Sequence, residues 1–106
     1  MLISEEIIAE AIDRLVETAN PQRVYLFGSY ARGDARDESD LDFLVVEKSV
    51  ESRRREMVRL HDSIRSMRIP VDILVVSETA FEEWANVRGS VIHKAVTEGR
   101  LCYEQP

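Results

Sequence analysis

Two apolar segments of nearly the same sequence, each headed by an aspartate, constrain this chain most. They are Asp42-Phe-Leu-Val-Val46 and, thirty residues later, Asp72-Ile-Leu-Val-Val76. Runs this short, rich in β-branched and aromatic residues, are typical of buried β-strands. The segment between them has helical periodicity, and a strand–helix–strand connection makes the two strands parallel. Because parallel neighbours bring equivalent residues to the same end of a sheet, we expect Asp72 to lie close to Asp42.

A third carboxylate belongs to the same end. Asp40 precedes Leu41 and Asp42, and alternate residues of a strand point to the same face. Carboxylates gathered at the mouth of a buried strand repel one another unless a cation compensates their charge. Oxygen-only ligands suit Mg²⁺, which is commonly shared with substrate phosphates. The sequence therefore predicts a site at Asp40, Asp42 and Asp72 that can hold two divalent ions and a nucleoside triphosphate.

The turn before these aspartates supplies a possible phosphate cradle. A first predicted strand, Gln22 to Phe27, ends at Gly28-Ser29. Gly28 lets the backbone approach a ligand closely, and Ser29 offers a hydroxyl and an N–H at the start of a short helix. Alone, this would be an ordinary turn before a helix. Arg32 is the nearest fixed cation, and the sequence leaves open whether it binds a phosphate oxygen or an acid of the following loop.

Length and composition predict one globular domain spanning residues 1–106. The chain is 44% hydrophobic and 32% charged, and its net charge of −6 argues weakly against general nucleic-acid binding. No apolar run reaches the ~20 residues of a membrane helix, and the first residues lack the features of a signal peptide, so a cytoplasmic location is expected. Cys102 is the single cysteine, which excludes an intramolecular disulfide.

The remaining pattern is helical apart from one short edge strand. We predict helices over 4–19, about 51–67, a segment beginning at Ser77 or Thr79, and 91–98, with a strand over 100–104. Thr79 and Glu82 have the spacing of a capping box. Phe81 and Trp84 are predicted core residues, with an aromatic platform for a nucleotide base as the alternative at Trp84.

Together the motifs resemble the signature of the polymerase-β-type nucleotidyltransferases. Gly28-Ser29 is followed after ten residues by Asp40-Leu-Asp42, within Phe27-Gly-Ser-Tyr-Ala-Arg-Gly33 and Ser39-Asp-Leu-Asp42. This form is similar to the minimal nucleotidyltransferases, the MntA-like antitoxins of HEPN/MNT toxin–antitoxin pairs. The resemblance covers nearly the whole chain. It implies an α/β (α+β) fold, a small mixed sheet with helices packed on it.

The resemblance also implies an activity and roles for the site residues. Asp40, Asp42 and Asp72 would be catalytic and would ligate two Mg²⁺ ions, with Asp72 on the nucleophile side. Gly28 and Ser29 would hold the phosphates of ATP, with Arg32 beside them. The implied reaction is transfer of AMP from ATP to a tyrosine of a HEPN-domain toxin, which would make this protein its antitoxin.

Three alternatives remain open from the sequence. The protein could be a binding module that neutralises its partner by covering it, or a nucleotidyltransferase that acts on a small molecule. Its acids could also form a metal site that serves stability alone. No residue is assignable to reading the base, and the sequence does not fix the acceptor, a need for the partner, or the oligomeric state.

Overall fold

A four-stranded mixed sheet with helices on both faces forms the protein. The computed structural model describes residues 2–106. Its elements in chain order are α1 Glu5–Ala19, β1 Arg23–Phe27, α2 Ser29–Arg32, β2 Leu41–Glu47, α3 Arg53–Ile64, a 3-10 turn Arg65–Met67, β3 Val71–Ser77, α4 Glu78–Trp84, α5 Val91–Glu98 and β4 Arg100–Glu104.

The sheet has the strand order β3-β2-β1-β4. Strands β2 and β3 are parallel and pair in register from Leu41 with Val71 to Glu47 with Ser77. Helix α3 is the crossover between them, since parallel strands cannot be joined by a tight turn. Strand β1 runs antiparallel to both β2 and β4. The mixed α/β fold and the parallel pair confirm the sequence predictions.

Strand β2 is apolar on both sides, which explains its unbroken run of hydrophobic residues. One face of the sheet packs on α1 and α3, and its residues include Leu41, Phe43 and Val45. The other face packs on α4 and α5, and Leu44 and Val46 lie there. Because side chains alternate along a strand, Asp42 lies on the α4–α5 face, in line with Leu44.

Serine residues are the N-caps of four helices. Ser4, Ser52, Ser77 and Ser90 each accept a hydrogen bond from the backbone N–H three residues on. The predicted capping box at Thr79 is therefore wrong, because β3 continues to Ser77 and Thr79 already lies within α4. Among residues 2–106, no helix is long and apolar enough to cross a membrane.

The structure confirms one of the two predicted aromatic core residues and contradicts the other. Phe81 is buried and stacks on Tyr25 with ring centroids 5.8 Å apart, while the Arg23 guanidinium lies 5.3 Å from its ring centroid. Trp84 is 48% exposed, so the prediction that it is a core residue is wrong. It is the last residue of a seven-residue helix, one turn beyond the Phe81 contact with the sheet.

A buried carboxyl group lies at the C-terminal end of β2, which we call its far end. Glu47 lies next to Glu56 of α3, and Arg59 donates two hydrogen bonds to Glu56, at 2.9 and 2.7 Å. Burial, then the hydrogen bond to Glu56 and its charge, raise the pKa of Glu47 to about 8. The hydrogen bond from Arg59 lowers the pKa of Glu56. Glu47 is therefore protonated at neutral pH and donates to the Glu56 carboxylate.

We expect Glu47 to make stability fall as pH rises. The unfolded side chain titrates near 4.5 and the folded one near 8, so the native state holds an extra proton between these values. The contribution is complete below pH 4.5 and is lost as pH rises through 8, by about 3 kcal/mol between pH 5 and 8. Glu47→Gln keeps a donor for Glu56 and should remove this dependence. Denaturant unfolding of the wild type and of Glu47→Gln from pH 5 to 9 measures the pH dependence of the unfolding free energy. Parallel profiles for the two proteins would contradict the prediction.

Candidate active site

The turn after β1 brings the backbone directly against Asp42. Phe27 is paired with Asp42 in the β1–β2 ladder, and Gly28 follows with φ 75° and ψ −157°. A Cβ added at Gly28 would lie 2.1 Å from Oδ2 of Asp42. Only glycine adopts this backbone conformation readily, and only glycine leaves room for the carboxylate. The glycine of the motif is therefore explained by a close approach within the site.

Helix α2 is a single turn built on that glycine. The carbonyl of Gly28 accepts hydrogen bonds from the N–H groups of Ala31 and Arg32, at 3.1 and 3.0 Å. Gly33 ends the helix in the left-handed region at φ 86°. Ser29 is thus the first helical residue, half-buried, directly after the turn that contacts Asp42.

The structure shows one of the two roles that the sequence left open for Arg32, the ion pair with an acid of the following loop, and its contact with a phosphate stays a prediction. Its Nε lies 3.4 Å from Oδ2 of Asp34, and both side chains are largely exposed. Such a pair contributes little to stability. Burial and the neighbouring aspartates raise the pKa of Asp42, and the positive charge of Arg32 partly offsets that rise, so the guanidinium lies within electrostatic reach of this carboxylate.

The three predicted aspartates influence one another. Asp42 and Asp72 are direct partners in the parallel ladder, as the sequence predicted. Burial first, and then the negative charges of Asp72 and Asp40, raise the pKa of Asp42 above its usual value. Asp40 lies just before the first residue of β2 and is exposed, as is Asp72. Asp42 is therefore the half-buried centre of the group, with a more exposed carboxylate on either side.

The donor set fits a hard divalent cation. Its ligand atoms are carboxylate oxygens, which Mg²⁺ prefers, and their mutual repulsion is the charge that a cation would neutralise. Within residues 2–106, no three His, Cys, Asp or Glu side chains already stand together at the spacing of a metal centre. Binding of a shared cation would therefore include bringing the side chains of Asp40, Asp42 and Asp72 together.

Comparison with protein families identifies the architecture. The family described as "Polymerase beta, Nucleotidyltransferase" matches residues 10–106. The chain belongs to this family. The resemblance drawn from the Gly-Ser and Asp-Leu-Asp motifs is thereby confirmed. The comparison with curated proteins gave no match.

Solved structures share the fold. A protein from Sulfolobus solfataricus, provisionally named a nucleotidyltransferase, is 25% identical with a TM-score of 0.66, over 94% of this chain and 79% of that one. A mutant of the toxin–antitoxin pair MntA–HpeT is 18% identical, with a TM-score of 0.61 over 97% and 75% of the two chains. A toxin–antitoxin structure with AMP-PNP is 21% identical, with a TM-score of 0.60 over 91% and 73%.

One buried titratable group, at the opposite end of β2 from the site, was missed from the sequence. Glu47 and Asp42 stand at opposite ends of β2, and only Asp42 was singled out. A glutamate that follows four apolar residues of a strand was the available signal, because position 47 continues the buried pattern. Its partner Glu56 could not be found from spacing, since it depends on how α3 crosses the sheet.

We expect Gly28→Ala to abolish nucleotide binding. The new methyl group forces the Asp42 carboxylate to rotate away, and the backbone strain costs about 1–3 kcal/mol of stability. Gly33→Ala is the control, because Gly33 also has a positive φ but a Cβ there meets nothing within 4 Å. Thermal unfolding of the two variants, with and without ATP and Mg²⁺, measures their stability and their nucleotide binding. The Gly33 variant should keep the ligand-induced rise in Tm, and an equal rise in the Gly28 variant would contradict the assignment.

Proposed function

We propose that this protein is a Mg²⁺-dependent nucleotidyltransferase that transfers AMP from ATP to a tyrosine hydroxyl of a HEPN-domain toxin, and so acts as its antitoxin. The observation that supports this best is the register of β2 and β3, which pairs Asp42 with Asp72 beside the glycine turn. Membership of the nucleotidyltransferase family supports the reaction class. The fold shared with MntA–HpeT and with a toxin–antitoxin structure containing AMP-PNP is consistent with the choice of ATP and of a toxin partner.

Each site residue has a distinct task in this reaction. When bound, the two Mg²⁺ ions would stabilise charge on the triphosphate and make the attacking hydroxyl more acidic. Asp40 and Asp42 would hold the ions at the centre of the site. Gly28 and Ser29 would accommodate the terminal phosphates, because Gly28 has no Cβ to block their approach.

The outermost carboxylate belongs to the acceptor side. Asp72 lies on β3, the edge strand, and is exposed, so a hydroxyl group from another molecule can reach it. The acceptor oxygen bonds to the α-phosphorus, the bond from that phosphorus to the bridging oxygen breaks, and pyrophosphate leaves. The hydroxyl proton passes to the Asp72 carboxylate.

A binding module is the second candidate. The carboxylates do not stand ready at metal-centre spacing within residues 2–106, which is compatible with neutralisation of a partner by contact alone. The family match weighs against it, because the carboxylates that the transfer reaction needs are present and Asp42 is paired with Asp72.

We expect Asp42→Asn and Asp72→Asn to reduce transfer of label from α-labelled ATP to the HEPN-domain partner by about 10²–10³-fold. Without metal, Asp42→Asn should be at least as stable as the wild type, because it removes a carboxylate that Asp40 and Asp72 repel. Autoradiography of the partner and metal-free thermal unfolding provide the two readouts. Asp13→Asn, which removes an exposed carboxylate from α1, is the matched control.

The outcomes separate the two candidates. Label on the partner that disappears in both site variants but persists with Asp13→Asn supports the enzyme. A stable complex that silences the partner with no label, and that is unchanged in the site variants, would leave the binding module.

A further inference from the structure

An apolar groove opens on the α4–α5 face of the sheet, between strand β3 and the last two helices. Its apolar lining comes from strand β3, helix α4 and helix α5, with Val50 of the loop after β2. We define the acceptor groove by Leu74, Val76, Ala80, Trp84, Val91 and Ile92. The cleft has a volume of about 380 Å³. Ser77, Ser90 and Arg53 add polar atoms to its lining.

The groove is continuous with the site through β3. Leu74 follows Asp72 by two residues and so points to the same face of the sheet. Leu74 is the lining residue of β3 nearest to Asp72, about 7 Å from it along the strand at ~3.3 Å per residue, and the groove extends from there toward the C-terminal end of β3. A molecule that presents a group to Asp72 is therefore well placed to fill the groove as well.

The groove exposes large apolar side chains to solvent. Trp84 is 48% exposed and Val91 is 46% exposed, and Val87, in the loop between their helices, is 41% exposed. Three of the seven large hydrophobic residues that are exposed in residues 2–106 thus fall within eight consecutive positions. Such a concentration beside a site is typical of a binding surface.

The strand that borders the groove has a free edge. Strand β3 is the outermost strand of the sheet, and within residues 2–106 no strand pairs with its outer side. In a parallel ladder, alternate residues direct their N–H and C=O groups away from the neighbouring strand. An unpaired row of this kind accepts an additional extended strand.

From these observations we propose that an extended segment of the partner protein adds to the outer edge of β3, with its hydroxyl residue beside Asp72 and an apolar or aromatic side chain two positions away in the acceptor groove. The spacing follows from the alternation of side chains, which matches the separation of Asp72 and Leu74. The inference rests on the proposed function, because it concerns the acceptor of the same reaction. It assigns to Trp84 the role of an anchor for the acceptor.

The test uses Trp84→Ala and Leu74→Ala with Leu101→Ala as the matched control. Leu101 is 44% exposed and lies on β4, the opposite edge strand. We expect the two groove variants to weaken binding of the HEPN-domain partner, and to raise its KM in the transfer assay, by about tenfold or more. Their affinity for ATP with Mg²⁺ should equal that of the wild type. Leu101→Ala should match the wild type in both assays.

Hydrogen exchange tests the added strand directly. In the complex, the outward-facing amides of β3 should exchange more slowly than in the free protein, while those of β4 stay unchanged. Groove variants that bind the partner normally, or β3 amides without added protection, would overturn the proposal. Loss of ATP binding in Trp84→Ala with partner binding unchanged would assign the groove to the base, and loss of self-association would assign it to a second copy.

Failure of the proposed function gives a different result. If wild-type protein transfers no label, the reaction is wrong, but partner affinity and hydrogen exchange still decide whether the groove binds the partner. If wild-type protein transfers label and the groove variants do so with unchanged KM, the reaction stands and the inference fails.

Discussion

The site depends on the parallel register of β2 and β3, which holds two like charges side by side. Asp42 and Asp72 head strands whose next residues are packed between helices, so neither strand can slip without moving its core residues to the wrong face. Phe43 to Val46 are fully or almost fully buried, and each such side chain contributes about 1.5–3 kcal/mol. A like-charged cross-strand pair costs only about 0.2–1 kcal/mol. Core packing therefore exceeds the repulsion and keeps the pair in place.

The two ends of β2 handle negative charge in opposite ways. At the far end, Glu47 is neutralised by a proton and donates to Glu56, while Arg59 neutralises Glu56. At the site end, the exposed Arg32 is the cation among residues 2–106 that partly offsets the charges of Asp40 and Asp72 on Asp42. The far end is thus compensated within the protein, whereas the site end keeps a negative charge that a cation could neutralise. This difference supports the proposal that the site end of the strand binds a metal ion.

Local pattern and connection rules were sufficient to predict the pairing of Asp42 with Asp72, because a helical crossover between two strands leaves one handed, parallel arrangement. They were insufficient wherever a side chain's environment depends on how far a helix extends over the sheet. Trp84 has the composition of a core residue but lies beyond the part of α4 that packs. The Glu47–Glu56 pair depends likewise on the path of α3, which no spacing encodes. The metal and catalytic roles remain predictions, since they concern ligands rather than the chain.

The spatial order of the strands gives the proposed reaction a direction. Gly28 and Ser29 follow β1, and Asp42 and Asp72 are the second residues of β2 and β3. The proposed phosphate cradle, the central carboxylate and the outer carboxylate therefore succeed one another across the sheet. On the side of β1, strand β4 covers the edge. On the side of β3, no strand of residues 2–106 pairs with the edge, and the apolar groove lies on the same face as Asp72. With the triphosphate held on the β1 side, an acceptor has an open approach from β3, where backbone groups and an exposed tryptophan are available to hold it.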